Sequence, residues 1–186
     1  MDLQHACVFL QNSNGTFQAA LVSAARANPS VLAVGDLNGD GIPDLVVRNS
    51  TDMSALLGNG DGTFQTPKVI SLPSGHSFYT PAYNPIAPAL GDFNHDGHLD
   101  LVFTAVKNTG EYYMDVLLGK GDGTFRNGGS RLINAYGNGG FEALVAGDFT
   151  GDGNLDVLTC ASYGTIGGVP NVFLNLFTGE PHAFFC

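Results

Sequence analysis

The chain has 186 residues, 44% of them apolar, with 17 acidic against 7 basic side chains and a formal net charge of −10. This composition argues for one domain with a genuine core and against disorder; no nucleic-acid partner is expected, since phosphate binding needs a basic footprint, and docking on anionic lipid is disfavoured for the same reason. No apolar run approaches the roughly 18 residues that span a bilayer, so no membrane insertion is expected.

In chain order, "FLQNSNGTFQ" (9–18) sets an Asn-Gly turn between two short apolar runs, which predicts a hairpin. "VLAV" then leads into "GDLNGDGIPDLVV" (35–47), which crowds Asp36, Asn38, Asp40 and Asp44 between two strands. "MSALL" opens a second turn element, "LLGNGDGTFQ" (56–65), and the connection "LPSGHSFYTPAYNP" (72–85) follows with His76, Tyr79 and Tyr83. The acidic element returns as "GDFNHDGHLDLVF" (91–103) with Asp92, Asn94, Asp96 and Asp100. Beyond Tyr112 and Tyr113 the turn element returns as "LLGKGDGTFR" (117–126). Tyr136 precedes a third acidic copy, "GDFTGDGNLDVLT" (147–159), with Asp148, Thr150, Asp152 and Asp156. The closing "VFLNLFTGEPHAFFC" lacks the GDGTF turn.

Asp36, Asp92 and Asp148 recur at an interval of 56 residues. Between the landmarks lie apolar runs of strand length, separated by turns too short to hold a helix. Four strands per repeat, A to D, with the acidic loop joining A to B and the glycine turn joining C to D, is the cadence of a β-propeller blade. The expected fold class is therefore all-β: a β-propeller of four-stranded antiparallel blades, with about three and a half blades in a single segment over 1–186. The repeats fall at 1–30 (strands C and D of a partial blade), 31–73, 87–134 and 141–186. Phe17, Phe64 and Phe125 are expected to pack between blades.

The acidic loops follow D-x-[DN]-x-D-G-x-x-D. Calcium takes six to eight oxygens, and a short loop supplies them from alternate side chains plus a backbone carbonyl. The ligands assigned are Asp36, Asn38, Asp40, Asp44 and the carbonyl of Ile42; Asp92, Asn94, Asp96, Asp100 and the carbonyl of His98; Asp148, Thr150, Asp152, Asp156 and the carbonyl of Asn154. Up to three Ca²⁺ ions are expected, and the Thr150 hydroxyl makes the third site the weakest. An EF-hand is rejected, because its twelfth position needs a glutamate and here holds Val47, Phe103 and Thr159. Asx-turns without metal are the competing, less favoured reading of a single copy; three copies with the same convergent carboxylates favour the ion further. For Asp61 and Asp122 in the GDGTF turns, turn chemistry is the better reading.

From about residue 8 to 177 these motifs resemble the FG-GAP or VCBS repeats of integrin-α-like propellers. The resemblance implies a calcium loop in each blade, complete rings of about seven blades, and hence an incomplete propeller here, finished by blades of the same chain or by self-association. It also implies an extracellular or cell-surface setting, although the N-terminus carries no signal-peptide pattern.

Up-and-down blades place the irregular B–C and D–A connections on the face opposite the acidic loops, where recognition usually resides. Tyr79, Tyr83, Tyr112, Tyr113 and Tyr136 are the candidate ligand-binding residues there, suited to a protein or a glycan, with space-filling over the inner strands as the equal alternative; the lack of Trp makes sugar stacking less attractive. No catalytic motif is present: GxSxG, HExxH and a P-loop are missing, and Glu111 and Glu142 have no paired partner. His5, His76, His95, His98 and His182 read as surface or turn residues, and Cys7, Cys160 and Cys186 as buried free thiols. The function expected is a calcium-binding, non-catalytic recognition or adhesion scaffold for a protein or glycan. The alternative is an accessory or partial domain of a secreted polysaccharide-degrading enzyme.

Overall fold

Four antiparallel sheets succeed one another along the chain in a computed structural model that describes residues 5–25, 31–49, 52–78, 86–133, 140–166 and 169–177. The first is a hairpin of β1 (His5–Val8) and β2 (Leu21–Ala24). The first full blade runs in order β3 (Val31–Gly35), β4 (Asp44–Arg48), β5 (Met53–Leu56) and β6 (Lys68–Ile70). The third blade comprises β12 (Gly140–Gly147), β13 (Asp156–Ile166) and β14 (Val169–Phe177); the remainder of the expected repeat 141–186, residues 178–186, lies outside the described residues.

The second blade departs from the simple plan. Its outer strands are β9 (Asp100–Lys107), β10 (Tyr112–Gly119) and β11 (Phe125–Leu132), but its inner edge is shared by two short strands. β8 (Ala89–Gly91) pairs with the acidic-loop end of β9, while β7 (His76–Ser77) pairs with its far end at Val106 and Lys107. The sequence reading leaves His76 in a connection; the structure puts it in the sheet, because two residues after the Gly75 turn suffice for backbone pairing without an apolar pattern.

The sheets stack face to face, and the inner strands β3, β8 and β12 abut, which makes an open arc of propeller blades. Stacking on both faces is why the strands read as continuous apolar runs. Successive residues of β4 point to opposite sides: Leu45 and Val47 join Ala6, Ala25 and Leu56 against the first hairpin, while Val46 joins Met53, Phe78, Leu101 and Phe103 against the second blade. On β9, Val102 turns the other way and packs with Met114, Val116, Leu118, Leu144 and Val157 against the third blade.

Phe64 and Phe125 pack against these clusters as expected. Phe17 does not: it is 64% exposed, because no described sheet lies against its side of the first hairpin. Cys7 is likewise exposed rather than buried, on the outward face of β1.

Glycine at the end of the first two inner strands makes the blade joint. A Cβ on Gly35 would stand 2.7 Å from Leu99 Cδ1, and one on Gly91 would stand 2.5 Å from Leu155 Cδ1. The acidic loop of each following blade thus lays its leucine on the preceding one.

Candidate functional site

The three acidic loops share one end of the blades and one internal wiring. In the first, the Asp36 carboxylate accepts the N–H groups of Gly39 (2.7 Å), Asp40 (3.2 Å) and Gly41 (2.8 Å). Asp40 accepts the Ile42 N–H at 2.8 Å and the Asn38 side-chain amide at 2.8 Å. Gly41, at φ +79°, makes the reversal that brings these donors round. The second loop repeats the scheme: Asp92 accepts from Asp96 and Gly97, and Asp96 from His98 and the Asn94 amide. In the third, Asp148 accepts from Gly151, Asp152 and Gly153, and Asp152 from the Asn154 N–H.

The last aspartate of each loop is built differently. Asp44, Asp100 and Asp156 are completely buried. Asp44 accepts the Leu37 N–H at 2.8 Å and the Gly58 N–H at 2.7 Å, so it ties the A–B loop to the end of strand C. Asp100 does the same with Phe93 (2.9 Å) and Gly119 (2.8 Å). Asp156 accepts from Phe149 and Thr150.

Electrostatics separates these positions. Backbone donation, led by Gly41, holds Asp36 below the ordinary carboxylate range. Asp152 is held low by the Asn154 N–H and then by the Asn154 and Thr150 side chains. Asp96 is also low, where the Asn94 amide and the His98 N–H outweigh the penalty of burial. Asp100 goes the other way: burial pushes it up to about 6, against its two backbone donors, and the charges of Asp96 and Asp92 add to the rise.

The GDGTF turns are closed by turn chemistry. Asp61 accepts from the N–H and hydroxyl of Thr63, Asp122 from those of Thr124, and Asn14 from those of Thr16. These turns lie beside the acidic loops, as the Gly123 N–H donating to the Leu37 carbonyl (3.2 Å) demonstrates.

As the side chains stand, no three histidine, cysteine, aspartate or glutamate groups among the described residues converge closely enough to hold a metal ion. The donor set nevertheless fits calcium in kind: carboxylate, amide and carbonyl oxygens on a loop already turned, with lone pairs left on each carboxylate after its N–H bonds. Asp100 supplies a second reason, since a buried carboxylate whose charge is resisted by burial and two like neighbours is what a cation relieves. A bound ion would supply charge neutralisation and cross-bracing of the hairpin.

The opposite face begins at the far end of β9. Tyr112 is half-buried against the cluster of Val102, Met114 and Val157. Tyr113 packs against the His76 ring, centroids 4.7 Å apart, with Lys107 Nζ 5.7 Å from its own centroid. Tyr79, Tyr83 and Tyr136 lie outside the described residues.

Sequence reasoning misses the polar cluster beneath. His76 Nδ1 meets both carboxylate oxygens of buried Asp115, at 3.0 and 2.8 Å, and burial raises the Asp115 pKa despite help from Ser130 and His76. The signal was a lone aspartate in the apolar run "YYMDVLLG", which a buried strand tolerates only with a partner.

The FG-GAP-like repeat family matches the chain at residues 4–47, 36–103 and 92–159. None of the curated proteins compared matches it. Among solved structures, one described as showing specific recognition of non-reducing terminal N-acetylglucosamine by an Agrocybe aegerita lectin is similar in fold, with a TM-score of 0.53 at 22% identity. The likeness covers 95% of this chain and 47% of the lectin, so the chain spans about half that length. With three consecutive matches reaching from the first hairpin into β13, the chain belongs to the FG-GAP-like repeat family.

Proposed function

We propose that this chain is a calcium-stiffened, non-catalytic recognition scaffold that presents its irregular connections to a glycan or a protein. The observation that carries the reading is the shared wiring of three acidic loops at one end of the blades, each with its first aspartate accepting backbone N–H groups of its own loop, and variable connections at the other: Asp100 and Lys107 are opposite ends of the same strand. Regularity at one end holds the frame, and variation at the other is where recognition is gained. Family membership and the fold shared with a lectin support the scaffold role.

Calcium is held by Asp36, Asn38, Asp40, the Ile42 carbonyl and Asp44, and by the corresponding residues of the other loops. The ligand meets the face bearing Tyr112 and Tyr113, with Tyr79, Tyr83 and Tyr136 on neighbouring connections. An extracellular or cell-surface setting supplies the millimolar calcium that suits low-affinity modules.

The test is a glycan array and a partner capture, each with calcium and with chelator. Calcium-dependent retention without chemical change of the ligand is expected. Calcium-independent retention would separate recognition from the loops, and cleavage of a bound glycan would move the chain to the polysaccharide-degrading alternative.

A further inference from the structure

The fourth residue of each acidic loop adopts a left-handed backbone. In the first and third loops it is glycine, Gly39 at φ 77° and Gly151 at φ 78°. In the second it is His95, at φ 58°, the one non-glycine residue with positive φ among the described residues. A side chain there is disfavoured by its contact with the backbone and persists where something outside the loop holds it.

The holder is on the next blade. His95 Nε2–H donates to Asn154 Oδ1 at 3.0 Å, across 59 positions of sequence. Asn154 in turn donates its backbone N–H to Asp152 at 2.9 Å. Two hydrogen bonds therefore link the second loop to a carboxylate of the third through one residue, His95 to the Asn154 side chain and the Asn154 backbone N–H to Asp152. The first loop has no counterpart reaching the second, because Gly39 has no side chain.

We propose that His95 is a positioning residue that couples cation loading of the second loop to that of the third. An ion in the second loop fixes Asn94 and Asp96 on either side of His95; the fixed imidazole then holds Asn154 and Asp152 in the arrangement the third loop needs. The weak third site, with Thr150 in place of an asparagine, is the one that gains. This inference rests on the calcium reading above.

Calorimetric titration of the full chain with calcium tests it. His95→Gly keeps the fold, because glycine already occupies this place in the other loops. His95→Asn tolerates the left-handed backbone but is too short to reach Asn154. Both variants are expected to weaken one of three binding phases by about fivefold, the low end of ordinary coupling between sites, and to leave the other two unchanged. In an Asp92→Ala background, which empties the second loop, His95→Gly is expected to change nothing further. Three phases identical to wild type in both variants would overturn the proposal, as would an undiminished effect of His95→Gly without the second site. A wild-type chain that takes up no calcium would overturn the calcium reading, and this inference with it.

Discussion

A carboxylate with no exposed surface is tolerated only where its charge is answered, and Asp44 meets that condition with the Leu37 and Gly58 N–H groups. Asp44→Ala leaves both donors buried without an acceptor, so chemical denaturation should give a loss of about 3 kcal/mol. Asp100→Ala should cost less, because burial already resists the charge that is removed. The same resistance sets a pH dependence. The folded-state pKa of Asp100, about 6, lies above its ordinary 3.8. Its contribution to stability is thus fully present below pH 3.8 and is lost as the pH rises through 6. Chelated protein should melt higher at pH 5 than at pH 7, whereas Asp36, Asp96 and Asp152, with lowered values, act only in more acidic solution. With calcium present the order reverses, because protons compete with the ion for Asp100; a melting series without a crossover would refute this. At the third loop, Thr150→Asn should tighten the weakest calcium phase, since an amide oxygen replaces a hydroxyl.

The element that joins these residues is the A–B hairpin seated on the end of strand C, and its tolerance to a single methyl group measures that seat. A Cβ on Gly119 would collide with the Leu99 carbonyl oxygen, and one on Gly58 would stand 2.5 Å from the Pro43 carbonyl oxygen. Backbone cannot swing aside as a side-chain tip can, so Gly119→Ala should destabilise by about 2 kcal/mol or more. Gly97→Ala meets open space at φ +83° and should cost only the conformational strain, about 1 kcal/mol. Equal losses from the two would remove the seat as an explanation. Hairpins and acidic loops were legible because their determinants are local: turn glycines, Asx partners two residues apart and short apolar runs, repeated three times. Contacts made across blades were not. His76 and Asp115 stand 39 positions apart and His95 and Asn154 stand 59 apart; no periodicity connects them until the sheets stack. β7 escaped for the same reason, since its pairing with Val106 and Lys107 and the His76–Asp115 contact both reach across some thirty or more positions of sequence. Phe17 was misjudged because its twins Phe64 and Phe125 have a neighbouring sheet and it has none among the described residues.

Across the whole molecule, burial is graded along the arc. β9 and β10 form the centre, with Leu101, Phe103 and Leu117 packed toward the first blade and Val102, Met114 and Val116 toward the third. The β1–β2 hairpin has only one face covered: Ala6 and Ala25 are buried, while Phe9, Phe17 and Val22 are more than half exposed. Local opening should follow that gradient, so amide exchange in chelator is expected to be fastest in β1 and β2 and slowest in β9 and β10. Calcium then acts selectively. An opening that releases an ion is suppressed by the factor 1 + [L]/Kd, about a hundredfold at a hundred times Kd. β4, β9 and β13 each begin at the last aspartate of an acidic loop, so each should slow by its own site's factor, β13 least. The first hairpin turns through Asn12–Thr16 and carries no acidic loop. Its opening frees no ion, and its exchange should be the same with calcium as without. A uniform slowing of every strand would mean that the ions stabilise the arc as one body rather than hairpin by hairpin, and no slowing at all would take calcium out of the fold's energetics.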